Sequence, residues 1–94
     1  MPVGLLLMYL HLPECNSLKE KRSTLKPILA RLHRDYNVSV AELARQDAWR
    51  YAELGCACVS NETVHIQSVL QQVARSIETT WPNVELVDQH IDIN

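Results

Sequence analysis

Residues 17–36, SLKEKRSTLKPILARLHRDY, read as one basic amphipathic helix, and the rest of the chain takes its place around it. Leu18, Leu25, Ile28, Leu29, Leu32 and Tyr36 recur at helical spacing on one face. Ser17 and Glu20 stand three apart, the spacing of a capping box, in which each side chain satisfies a backbone N–H near the helix start. Between Ser17 and Arg34, six cations (Lys19, Lys21, Arg22, Lys26, Arg31, Arg34) face one acid, Glu20, a local balance of +5. Pro27 lies in the interior. It removes the bond to the Ser23 carbonyl and crowds it, at about 3 kcal/mol if unrelieved, so a kink near Ser23 is expected. Asn37, which tolerates a left-handed backbone, is the expected exit residue.

Upstream, residues 3–12 are nearly all apolar and end at the turn Pro13-Glu14-Cys15-Asn16. They read as a central strand covered on both faces. Downstream, Val38-Ser39-Val40 begins a second strand reaching to about Arg45, and residues 46–50 form a polar connection. Residues 52–60 read as a third strand carrying Gly55, Ala57, Cys56 and Cys58. Asn61 is the expected N-cap of a second helix with an Ile66, Val69, Leu70, Val73, Ile77 stripe. Pro82 disfavours a helical Trp81, which stops that helix near Thr80. Residues 84–93 form the last strand, with Val87, Ile91 and Ile93 expected on one side. The order β-α-β-β-α-β predicts an α+β, ferredoxin-like sandwich: a four-stranded antiparallel sheet with two helices on one face, in a single domain over residues 1–94.

Ninety-four residues suit one small domain with its own core. The net charge of −2 excludes a general polycation, but its distribution is uneven. Residues 1–50 carry eight Lys or Arg and five acids (+3); residues 51–94 carry Arg75 against six acids (−5). Such asymmetry steers an anionic partner toward one side. Three cysteines do not make a disulfide framework. The apolar opening lacks a basic leader and a small-residue cleavage site, and no stretch reaches spanning length. The expected setting is cytoplasmic, with no membrane partner.

At this point the chain resembles the YlxP-like family of small bacterial proteins, a domain family of unknown function. The resemblance is carried by His11-Leu12-Pro13 with Cys15, and by Ser17-Leu18-Lys19-Glu20-Lys21-Arg22-Ser23. It continues in Asn37-Val38-Ser39-Val40-Ala41-Glu42, Gln46-Asp47 with Trp49, Leu54-Gly55, and Val59-Ser60-Asn61. It implies a ferredoxin-like fold and a bacterial setting in which relatives are often encoded beside translation initiation and ribosome-maturation factors. Family members commonly carry a valine-like residue where this chain has Cys56 and Cys58, so the resemblance does not imply thiol chemistry. They carry His or Asp before Gln46, where this chain has Ala44-Arg45.

Five features carry candidate chemistry. Cys56 and Cys58 alternate, so both thiols share one face of a strand; they read as small core hydrophobes, and no metal or other cofactor is expected. Cys15 precedes the helix cap, where dipole and Lys19 can lower a thiol pKa, yet nucleophilic work also needs a base such as His11 or His90. The same turn, through Cys15, Asn16, Ser17, Lys19, Lys21 and Arg22, offers N–H groups and cations to an anion, in competition with the capping side chains. Lys19, Arg22, Lys26 and His33, at offsets 0, 3, 7 and 14, form a strip that can track an RNA backbone. Against this, the chain has no Phe, and no paired aromatics on the inner strands resemble an RNA-recognition motif. Asp47 and Trp49 lie in the 46–50 connection, where Trp49 reads either as a contact residue or as a lid folded over the sheet.

The leading functional expectation is a non-enzymatic module that meets RNA or a ribosomal particle through the basic helix. A second class is a homodimer or small-anion module. The first strand supplies two apolar sets, Leu5, Leu7, Tyr9 and Leu6, Met8, Leu10, and helices cover only one sheet face. An enzyme ranks third: acylphosphatases share the fold, but their glycine-rich phosphate loop with an arginine is absent after this first strand.

Overall fold

The computed structural model describes residues 2–94. In chain order they form β1 (Val3–His11), α1 (Leu18–Asp35), β2 (Ser39–Ala44), β3 (Tyr51–Val59), α2 (Thr63–Thr80) and β4 (Glu85–Ile93). All strand pairs are antiparallel, in the order β2-β3-β1-β4, so β1 and β3 are the inner strands. This is the ferredoxin-like α+β sandwich expected from the hydrophobic pattern.

Burial alternates along β1, where the sequence pattern had suggested cover on both faces. Leu6, Met8 and Leu10 are buried with Leu25, Ile28 and Leu32 of α1 and Ile66, Leu70 and Ile77 of α2 in one core. Leu5, next to Leu6 in the chain, is 39% exposed on the opposite, helix-free face, with Leu7 and Tyr9 half-buried along it. A continuous apolar run therefore does not need two covered faces; the helices seal only one. Gly4 belongs to that sealed face. A Cβ there would collide with Ile66 Cγ2 and press on Leu70 Cδ1 of α2. Gly4→Ala is expected to lower stability by about 1–3 kcal/mol through overpacking, read as a lower denaturant midpoint; an unchanged midpoint would mean α2 lifts without cost.

α1 is one unbroken helix despite Pro27. Both Pro27 and Ser23 are exposed, so water can serve the carbonyl that proline leaves without a donor. Its capping box forms with a shift: Glu20 N donates to Ser17 Oγ (3.1 Å), while Glu20 Oε1 accepts from the N–H of Asn16 (2.8 Å) rather than that of Ser17. Three local expectations are corrected. Asn37 is not left-handed; among the described residues Arg45 is the one non-glycine with positive φ, at 60°. The N-cap of α2 is Glu62, not Asn61, because Ser60 Oγ already accepts from Glu62 N and Ile66 N closes the first turn on Glu62 O. Val87 does not share a side with Ile91 and Ile93. The pairing of β4 with β1 slips between Tyr9 and Leu10, a bulge that turns Leu86 inward and leaves Val87 63% exposed.

Candidate nucleic-acid interface

Lys21 occupies a position on the apolar stripe of α1 and, among the described residues, is the one charged residue in the core, 1% exposed. Its Nζ donates to Arg45 O (2.7 Å) and Ala48 O (2.8 Å) and lies 2.8 Å from Glu42 Oε2 on β2. That oxygen is buried and has no other hydrogen-bond partner, so the ammonium is its sole compensation. A buried lysine is tolerable on these terms, with three donors and three acceptors. Arg45, held in the left-handed region, receives a second donor on the same carbonyl from Ala48 N (3.0 Å). Those bonds oppose a backbone cost of about 1–3 kcal/mol for a non-glycine there.

The other end of the 45–50 connection is tied by Arg50. Its Nε donates to Cys15 O (3.0 Å), its Nη2 to Asn16 Oδ1 (2.9 Å), and its carbonyl accepts from Leu12 N (2.8 Å). The connection is thus clamped to α1 and to the turn after β1. Between its clamped ends Trp49 stands 53% exposed, which settles the alternative left by the sequence: it is no lid over the sheet.

Lys19, Arg22, Lys26 and His33 are all exposed on α1, and none of them forms a salt bridge or side-chain hydrogen bond among the described residues. Arg22 lines a hollow of about 320 Å³ with Lys21, Gln46 and Asp47, which sets the basic strip against the clamped connection. On the other flank of α1, Asp35 is held by Arg34 (3.0 Å) and Arg31 (3.2 Å), and those guanidiniums keep its carboxyl below the usual range. Arg31 also lies 5.8 Å from the Trp81 ring centroid and shares a groove with Arg75 of α2.

The six residues singled out for an anion do not converge. Asn16 N and Glu20 N are occupied by the capping side chains, Asn16 Oδ1 and Cys15 O by Arg50, and Lys21 points into the core. Ser17 and Lys19 line a hollow together with Glu14 and Glu20, whose charge opposes an anion. Arg22 lines a different hollow, with Glu42 and Asp47, and forms no salt bridge with either.

Two ring side chains meet across the inner strands. His11 of β1 and Tyr51 of β3 are register partners, on the face opposite the helices, with ring centroids 5.0 Å apart and planes 25° from parallel. Arg45 lies 5.7 Å from the Tyr51 centroid, and Tyr9 is two residues along β1. Carboxylates border this group: Glu85 is 3.6 Å from His11 Nδ1, and Glu53 beside Tyr9 raises the phenol pKa, helped by burial. Sequence spacing could not show the pair, because antiparallel register alone brings residues 11 and 51 together. Lys21 did carry a signal, since 18, 21, 25, 28 and 32 continue the 3- and 4-residue spacing of the apolar face.

All three cysteines are free and buried. Cys15 Sγ meets Thr24 Oγ1 at 3.7 Å, while His11 is engaged on the other side of the sheet, so no imidazole serves this thiol. No group of three metal-binding side chains lies together among the described residues. Burial, with Cys58 alongside, pushes the Cys56 thiol up to about 12. Because alkylation needs the thiolate, Cys56 is expected to stay unlabelled by iodoacetamide at pH 8 in the folded protein and to label fully in denaturant. Rapid native labelling mapped to Cys56 would contradict this environment.

The sequence pattern of a family described as "Protein of unknown function (DUF503)" matches residues 3–91. The chain is 40% identical over 72 residues to "Uncharacterized protein YlxP" of Bacillus subtilis (strain 168), covering 77% of each. Among solved structures it is similar to the de novo designed protein Foldit4, with TM-score 0.55 and 16% identity over 100% of this chain and 97% of that one. It is also similar to a designed protein with ferredoxin fold, LFR1 1, with TM-score 0.54 and 12% identity over 100% of this chain and 83% of that one. At such identities the two designs bear on the fold alone. No helix among the described residues is long and apolar enough to cross a membrane.

Proposed function

The chain belongs to the DUF503 family of proteins of unknown function, and from its surface chemistry we propose that it is a non-enzymatic module that binds RNA, free or within a ribosomal particle, through the basic strip of α1. One observation carries the reading: Lys19, Arg22 and Lys26 are exposed and form no salt bridge among the described residues, while Lys21, the other cation between residues 19 and 26, is withdrawn to engage Glu42 and fix the connection beside them. Surface cations are commonly paired with acids, as Arg31 and Arg34 are here with Asp35. Three left unpaired on one strip are available to phosphates, whose condensed counterions are released on contact.

The test is co-sedimentation with RNA and with ribosomal particles across a salt series. Binding that weakens steeply as salt rises supports the reading. A second reading is self-association through the helix-free face, favoured by the exposure of Val3, Leu5, Leu43 and Val59. It has the opposite signature, since apolar association is insensitive to salt or strengthened by it.

A further inference from the structure

Trp49 is an exposed aromatic residue on a connection that the fold takes unusual trouble to hold. Lys21 grips the carbonyls of Arg45 and Ala48 on one side of it, and Arg50 binds the β1–α1 turn on the other. Nothing in the core uses the indole, which is 53% exposed. A large aromatic surface kept in water on a fixed backbone suits recognition, because little ordering remains to be done on binding.

Its surroundings identify the ligand chemistry. Trp49 shares a hollow of about 480 Å³ with Asp47, Arg50 and Tyr51, and Asp47 also lines the hollow that contains Arg22. One continuous surface therefore runs from the basic strip of α1 to the indole and on to the Tyr51–His11 stack, where Arg45 sits. The acids of this region are Asp47, in the hollow with Trp49, Glu53 on β3 beside Tyr9, and Glu85 and Asp88 on β4 beyond the stack. Arg22 and Arg45 supply exposed cations along this surface, with Asp47 the acid among them, and the carboxylates gathered around Tyr9 and β4 oppose a phosphate backbone there.

We infer that the RNA is bound as a single strand, with a base stacked on Trp49 and the adjoining phosphates directed toward Arg22 and Arg45. Every base offers a π-face, so such stacking tolerates sequence, and bases inside a duplex cannot present that face. This rests on the RNA-binding reading above, and the experiment separates the two. Wild type, Trp49→Ala and Trp49→Phe are titrated against a short oligouridine strand and a duplex RNA of equal length, with melting temperatures recorded for each variant. The single strand is expected to bind more tightly than the duplex. Trp49→Ala is expected to lose about fivefold or more in affinity for it at unchanged melting temperature, the cost of one lost stack, and Trp49→Phe to restore most of the loss. Trp49→Ala binding as tightly as wild type, or equal affinity for duplex and single strand, overturns the stacking inference and leaves the basic strip in place. Failure of the wild type to bind either RNA at low salt overturns both.

Discussion

Lys21→Met is expected to destabilise the fold by about 3–5 kcal/mol, the usual result of removing one member of a buried, hydrogen-bonded charge pair. The methionine keeps the volume of the side chain but supplies no donor. Glu42 Oε2 then loses its sole partner, and the carbonyls of Arg45 and Ala48 lose the ammonium they share. Glu42 is 20% exposed, so water can relieve part of the cost, and the lower end of the range applies. For a domain of this size about 3 kcal/mol lowers the melting temperature by roughly 12–24 °C, easily resolved by thermal denaturation. A double-mutant cycle with Glu42→Gln should return a coupling of roughly 0.5–3 kcal/mol. A Lys21→Met protein melting within a few degrees of wild type would show that the ammonium contributes no net stability. The same substitution releases the connection that carries Trp49, so RNA affinity should fall even below the melting temperature.

The Lys19→Glu, Arg22→Glu, Lys26→Glu protein should show the converse pattern, with stability kept and binding lost. The three side chains are exposed and unpaired, and substitutions at such positions usually stay within about 0.5 kcal/mol each. Glutamate at position 19 also lies in the first turn of α1, where the helix dipole favours an anion. For single-stranded RNA, three phosphate contacts give a log–log salt slope of about −2, so wild-type affinity should fall roughly twentyfold between 50 and 200 mM salt. Reversal replaces three attractions by three repulsions, and a loss on the order of 100-fold at low salt is expected, with a flattened salt slope in whatever binding remains. Arg75→Glu is the control: it changes a cation in the groove between the helices, away from the strip, and should bind nearly as wild type does. A folded triple variant that binds like wild type would leave Lys19, Arg22 and Lys26 as ordinary solvated surface.

Much of this was present in the one-dimensional pattern, because hydrophobic spacing and turn chemistry are local. The six elements, the capping pair Ser17 and Glu20, the exit of α2 before Pro82 and the exposed cations of α1 follow from residues within a few positions of one another. A local signal also misled: Asn61 suits a helix start, but Ser60 Oγ takes the Glu62 N–H and α2 begins one residue later, with Glu62 at the cap position. Register was outside their reach. The choice between Leu5 and Leu6 as the buried set, the β4 bulge that exposes Val87, and the meeting of His11 with Tyr51 across the sheet depend on which strands pair and how far each has slipped.

By itself the sequence determined that the chain folds as a ferredoxin-like sandwich with an excess of positive charge on its first helix. Only the tertiary structure decided what that charge is used for. Lys21 and Arg22 are neighbours with the same formal charge. The rotation of about 100° per helical residue carries one into the core against Glu42 and two carbonyls, and leaves the other in water beside Gln46 and Asp47. The division arises because burial is a property of the packed helix face, and a cation is admitted there only where distant parts of the chain, at residues 42, 45 and 48, arrive with the acceptors to hold it.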